Sequence, residues 1–319
     1  MSSILGTSPV ADTAGGHEQG STAADEAAPR PTEPAQRPSR LLLALRAFMR
    51  DRMAAVAAII LLLAIAVAIL APVLSPYDPT IGDSSRRLEG IGTEGHILGL
   101  DGQGRDILSR LIWGTRYSLS VAVFPVLIVL PVALLIGLIA GYAKGRVGET
   151  LMRLLDVLFA FPLVLLAIAL AAVLGAGLGN VMIAISISLI PYMARVAYTS
   201  TVQESSREYI EAARAGGART PEILFKELLP NVVSPLVVYA TTLCGLMVVL
   251  AAGLSFLGVG IIPPTPDWGI MTADGAGVLL EGYAHVATIP GCAILVVALS
   301  FNLLGDGVRD ALDPRKQTT

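Results

Sequence analysis

Six apolar runs follow the first fifty residues of this chain, and they constrain its fold more than any other feature. They cover 53–74, 119–142, 151–174, 181–196, 232–257 and 286–304. A helix rises about 1.5 Å per residue, so about 20 apolar residues cross the roughly 30 Å hydrocarbon core of a bilayer. Five runs satisfy that length. The fourth is shorter, holds Pro191 and carries Arg195 at its end, and is read as a span tilted or shielded by its neighbours. In lipid each backbone N–H and C=O must be satisfied within its own segment, so the runs are helices. The expected fold class is all-α, a polytopic transmembrane helical bundle of about six spans.

Composition agrees with that reading. Hydrophobic residues make up 54% of the chain and charged residues 15%, against about 25% charged in soluble domains. Mean hydropathy is +0.70. A net charge of -3 with no basic stripe argues against nucleic acid as a partner. Cys244 and Cys292 lie inside apolar runs, where a thiol behaves as a small hydrophobe, so they are read as packing residues. His17, His96 and His285 are not spaced as metal ligands, and no metal is expected.

Residues 1–40 are rich in Ala, Pro, Ser, Thr, Gly and Glu without apolar periodicity, the signature of a disordered tail. A first transmembrane helix follows at 41–75, then an extracytoplasmic segment at 76–116. A core of spans occupies 117–307, with a polar loop at 205–231, and a C-terminal tail covers 308–319. No apolar stretch near the start resembles a secretory signal, so the tail is expected in the cytoplasm.

Orientation follows from the basic residues beside the spans. Arg40, Arg46, Arg50 and Arg52 precede the first. Alternation then places Lys144, Arg146 and Arg153 inside, with Arg207, Arg214, Arg219 and Lys226, and finally Arg309, Arg315 and Lys316. Both termini are therefore expected in the cytoplasm. Outside segments 175–180 and 261–285 hold no Lys or Arg, whereas 76–116 holds Arg86, Arg87, Arg105, Arg110 and Arg116. An interfacial helix over 106–113, with Ile107, Leu108, Leu111 and Ile112 on one face and arginines elsewhere, would explain that exception.

No lysine stands between a glycine and a Ser or Thr as a phosphate-binding loop requires, so the chain is not expected to hydrolyse ATP. A membrane enzyme would need a nucleophile and base or a metal cluster, and a secondary carrier would need midspan carboxylates; neither pattern occurs. Asp156 and Arg195 lie near span ends and are read as snorkelling to the interface. Gly137 and Gly141 are read as seats for ordinary intrachain packing.

The most structured polar stretch is 205–231. Ser205 with Glu208 forms a capping-box pattern, and Gly216 and Gly217 supply left-handed geometry to end a short helix. Thr220 with Pro221 and Glu222 reads as the N-terminus of a second helix to Leu229, before Pro230 breaks into the next span. Such an elbow suits either docking or a simple helical connection. A second candidate surface is 260–283, rich in Pro and Gly and free of Lys and Arg. Its Pro263, Pro264, Pro266 and Trp268 are assigned to an external gate or binding-protein platform.

Glu211, Ala212, Ala213, Gly217, Leu229 and Pro230 match, in spacing, the EAA loop of bacterial ABC importer permeases. Leu254 to Gly258 (LSFLG) with 263–269 (PPTPDWG), Gly104 to Asp106 with Ser109 and Arg110, and the ending FNLLGDGVRDALDPR at 301–315 resemble the C-type permease of peptide and nickel importers. The resemblance extends over nearly everything after Arg40. Glu227 departs from it where His or an aliphatic is usual, and Ile97 where Pro is common.

The resemblance implies a type I ABC importer permease architecture in the bacterial cytoplasmic membrane. It implies a second homologous permease, two ATP-binding subunits and an extracytoplasmic substrate-binding protein as partners, besides membrane lipid. Glu211, Ala212, Ala213 and Gly217 would then be ATPase-docking positions, closed by Leu229 and Pro230. No cofactor is expected on this chain, since ATP and Mg would sit on the partner subunits. Dipeptides or oligopeptides are the expected cargo, with nickel or another small solute left open.

Overall fold

The computed structural model describes residues 48–49, 51–143 and 145–312. The expected tail at 1–40, together with Arg40, Arg46, Arg50, Lys144, Arg315 and Lys316, lies outside the described residues.

Helices account for nearly all regular structure. In chain order they are α1 (Arg52–Leu74), α2 (Ile107–Ala143), α3 (Arg146–Phe159), α4 (Leu163–Leu174), α5 (Leu178–Ser205), α6 (Glu208–Ala215), α7 (Thr220–Phe256), α8 (Trp268–Val278) and α9 (His285–Leu312). Five, namely α1, α2, α5, α7 and α9, are long and apolar enough to cross a membrane. The third apolar run is not one straight helix. It is broken into α3 and α4, bent by 79°, so a sixth span exists only if the pair counts as one. Pro162 caps the start of α4, and a proline both lacks an N–H and disfavours helical geometry at the residue before it.

Asp156 and Arg195, read as snorkelling, also meet each other: the Arg195 guanidinium donates to the Asp156 carboxylate, joining α3 to α5, and both side chains stay about half exposed. Arg195 further lies 4.1 Å above the Phe159 ring centroid, and Phe159 packs on Tyr192.

The most extensive helix pair is α2 with α5. Gly137 and Gly141 make that approach possible. A Cβ on Gly137 would overlap Ala197, and one on Gly141 would lie 2.6 Å from the Thr201 Cβ. Small residues at this spacing let helix backbones close up in lipid, as expected for intrachain packing. Leu189, Met193, Leu236 and Met247 are wholly enclosed at the centre of the bundle. Cys244 is buried, but Cys292 is exposed on α9 and so does not serve the packing role assigned to it.

The expected interfacial helix at 106–113 is absent as a separate element. Its residues form the first turns of the 37-residue α2, and Arg110 is buried among them instead of pointing to a polar face. The reason lies in the preceding loop. Asp101 accepts from Arg105 Nε at 2.7 Å and faces Arg110 Nε at 3.3 Å, while Arg105 also reaches Asp274 at 3.2 Å. Arg86 pairs with Glu89 at 2.7 Å, and Arg87 donates to the Gly102 carbonyl at 2.6 Å. Partnered arginines replace the solvation that an interface would have supplied.

Candidate functional site

The loop that joins α5 to α7 is built as an elbow. Its first helix, α6, does not begin with the expected capping box: Ser205 is the last residue of α5, where its hydroxyl donates to the Val202 carbonyl at 3.0 Å. The N-cap of α6 is Arg207. At the other end the glycines divide their roles. Gly216 has a φ of -74° and only Gly217, at +83°, is left-handed. Ala218 N–H donates to the Ala213 carbonyl and Gly217 N–H to the Arg214 carbonyl, both at 3.0 Å. These paired bonds form a Schellman closure, which satisfies carbonyls that a helix end leaves open.

The second limb starts one residue earlier than expected. Arg219 is the N-cap, and its N–H donates to the Glu222 carboxylate at 3.1 Å. That bond, with Lys226 Nζ 3.6 Å from the Glu222 carboxylate, ties the Glu222 side chain across the helix start. Nor does Pro230 interrupt the chain: α7 runs on through 37 residues. Residues 223–228 are π-wound, and Leu229 N–H donates to the Leu224 carbonyl five residues back. Pro230 therefore falls in the first turn of a newly phased helix, where its missing N–H is tolerated.

Three enclosed side chains, Ile210, Ile223 and Leu228, anchor the elbow to the bundle. A polar chain braces its side. Tyr209 donates to Glu204 Oε1 at 2.8 Å, and Asn231 Nδ2 donates to the Tyr209 hydroxyl at 3.1 Å and to the Glu227 carbonyl at 2.8 Å. Partial burial, then the bond to Glu204, pushes the Tyr209 hydroxyl up to about 12. Arg214 lies 5.0 Å above the Tyr142 ring, fixing α6 to the end of α2.

Against this frame Glu211, Ala212 and Gly217 are exposed, and Ala213 is half-buried. Leu229 is half-buried and Pro230 exposed, at the root of α7. The first four thus share one short helix and its cap, while the last two stand apart from them. Small side chains at Ala212 and Ala213 leave the outer face of α6 low, so another surface can approach its backbone closely. Open space surrounds Gly217, since an added Cβ there would meet nothing within 4 Å.

The second candidate surface lies beyond the far end of α7, and its residues divide. Pro263 and Pro264 are exposed; Pro266 and Trp268 are buried. Trp268 Nε1 donates to the Leu111 carbonyl at 3.2 Å, and its backbone N–H to Ser118 Oγ at the same distance. Asp267 caps α8 by accepting from Gly269 N–H at 3.0 Å, and it accepts from the Ser118 hydroxyl at 2.6 Å. Burial raises the Asp267 carboxyl above its ordinary range, with those hydrogen bonds opposing the rise. The Trp268 turn is thereby bolted to α2, leaving the two preceding prolines as its outward edge.

Several site residues escaped the sequence reading. Tyr209 and Asn231 are 22 positions apart, and nothing in the local pattern pairs them. Asp101 and Arg105 did carry a signal, an acid and a base four residues apart. Asp156 and Arg195 carried one as well, being opposite charges within two apolar runs. Among the described residues no group of three His, Cys, Asp or Glu side chains is placed to hold a metal ion.

The comparisons with known proteins agree with this architecture. Residues 133–318 match the family described as binding-protein-dependent transport system inner membrane component. Residues 39–89 match the N-terminal TM domain of oligopeptide transport permease C. The chain is 44% identical over 270 residues to a glutathione transport system permease protein, GsiD, of Pectobacterium atrosepticum, covering 85% of this chain and 89% of that protein. It is 40% identical over 284 residues to the di/tripeptide transport system permease protein DppC of Pseudomonas aeruginosa, covering 87% and 93%. Among solved structures, a chain from the inward-facing MetNI methionine ABC transporter aligns with a TM-score of 0.53 at 20% identity, covering 64% of this chain and 97% of that one. That likeness concerns the fold alone. On the extent of the family match and of the relatives' identity, the chain belongs to the binding-protein-dependent transport system inner membrane components, in the peptide/oligopeptide group of ABC permeases.

Proposed function

We propose that this chain is one permease half of an ATP-driven importer for small peptides, glutathione-like or di- and tripeptides. The substrate class rests on the names of its relatives. The elbow is the observation that carries the mechanism. A short capped helix presents Glu211 and Ala212 outward on three buried anchors, which suits a surface that must receive force without deforming. In this reading α6 seats on an ATP-binding subunit, and a second permease, a second ATP-binding subunit and an extracytoplasmic binding protein complete the machine. ATP and Mg belong to those partners. The elbow and both termini face the cytoplasm, while the Pro263–Pro264 edge faces the binding protein.

Uptake in cells lacking their own peptide importers tests the reading. The chain expressed with its partners should accumulate labelled dipeptide, tripeptide or glutathione, and the purified lone chain should not turn over ATP. Accumulation of nickel without any peptide would replace the substrate class. Labelling by an impermeant reagent of a cysteine placed within residues 1–40 of intact cells would reverse the orientation.

A further inference from the structure

A groove of about 580 Å³ runs between α1 and α2 and is independent of the elbow and the Trp268 turn. Its floor is Ala68, Leu119 and Phe301, all buried. Its walls are Ile65 and Ile69 on one side and Phe124 and Leu127 on the other, all exposed. Both flanking helices are long and apolar enough to cross a membrane, so hydrocarbon or another transmembrane helix must cover these walls.

Arg116 decides between the two. It lines the groove together with Ser120, and it is exposed. Unlike Arg86, Arg105 and Arg110, Arg116 makes no ion pair among the described residues; it lies 5.9 Å from the Trp113 ring. Tyr77, just past the end of α1, donates its N–H to Ser109 Oγ at 3.1 Å, which fixes the end of α1 level with the first turns of α2. Arg116 lies two turns deeper, and side chains on a helix lean toward its N-terminus. Its guanidinium is therefore directed back to the membrane surface beside Trp113, as interfacial cations and aromatics are. From Arg116 to Leu127 the groove follows one face of α2 for about 16 Å, roughly one leaflet of hydrocarbon.

We propose that this groove binds one anionic phospholipid, with an acyl chain between α1 and α2 and the phosphate on Arg116. An apolar channel of one-leaflet length with a single unpaired cation at its mouth is complementary to that molecule. An apolar transmembrane helix would fill the channel but leave the cation without a counter-charge, whereas the phosphate supplies one.

Native mass spectrometry of the assembled transporter, titrated with phosphatidylglycerol or phosphatidylcholine of equal acyl length, tests the assignment. The wild type should retain phosphatidylglycerol about fivefold better, the worth of one cation near an anionic headgroup. Arg116→Gln should abolish that preference and Arg116→Lys should keep it. Val123→Phe, which fills the groove, should lower retention of both lipids while the other subunits stay bound. Equal retention of the two lipids by the wild type would overturn the proposal, as would a preference that survives Arg116→Gln. Loss of the partner permease on Val123→Phe would assign the groove to a transmembrane helix instead.

Discussion

Replacing Gly217 isolates what the elbow's geometry contributes. The residue has a φ of +83°, and its N–H and that of Ala218 close the end of α6. A side chain in left-handed geometry costs about 1 to 2 kcal/mol, with β-branched residues at the upper end. Since an added Cβ meets nothing within 4 Å, overlap of that atom adds nothing to the figure. For Gly217→Ala the penalty is therefore conformational. About 1 to 2 kcal/mol corresponds to a roughly 5- to 30-fold smaller population of the closed elbow. Ile210 and the Arg214–Tyr142 contact hold α6 independently, so insertion of the chain in the membrane should survive. Gly217→Asn, which tolerates left-handed φ, should be nearly neutral; Gly217→Ala should be intermediate and Gly217→Val worst. Membrane level, copurification of the ATP-binding subunits and peptide uptake should be measured on the same preparations. Normal uptake by Gly217→Val refutes the argument. So does an Asn variant as impaired as Val, because contact with the partner, not φ, would then be limiting.

Three other outcomes follow from the geometry. Tyr209→Phe removes the link between Glu204 and Asn231, and thermal unfolding of the purified complex should show a loss of about 0.5 to 1.5 kcal/mol. Because the Tyr209 hydroxyl is raised to about 12, its stabilising effect is complete below the ordinary tyrosine value near 10 and is lost as pH climbs through 12; the wild-type minus Tyr209→Phe ultraviolet difference should titrate there. Asp156→Arg places two cations together across α3 and α5 and should depress uptake, with Arg195→Asp added to it restoring part of the loss; a double variant no better than the single would remove the pair from the mechanism. Trp268→Ala, at a buried site with two hydrogen bonds to α2, should destabilise by about 3 to 5 kcal/mol, seen as a sharp fall in membrane level, whereas Pro263→Ala should leave that level unchanged.

The spans were legible because about 20 apolar residues in a row have few alternatives in water or lipid. Their continuity was not. Pro162 breaks its helix by 79°, yet Pro230 is absorbed into another, and the difference lies in the π-wound turns before Pro230. No pattern of residue types announces such winding. At the elbow, Gly217 was readable from its place after a helix, but the cap at Ser205 was not. A Ser-x-x-Glu pattern describes bonds that form only if the preceding helix has already ended, and α5 continues through Ser205. The burial of Trp268 depends on Ser118 and on the Leu111 carbonyl, more than 140 positions away, and such pairings arise only when the chain has folded.

The unbroken α7 is, mechanically, a beam. Thirty-seven residues rise about 55 Å, from the elbow at Thr220 to the turn that leads into Pro263 and Trp268. A beam of that length amplifies rotation: a tilt of about 10° about one end sweeps the other through about 10 Å. The two candidate surfaces therefore need no chain of side-chain rearrangements between them. Spin labels at Thr220 and Phe256 should keep a constant separation through the transport cycle, while each moves against a reference on α1. A separation that shortens during turnover would mean that the beam buckles, with the π-wound turns its weakest section.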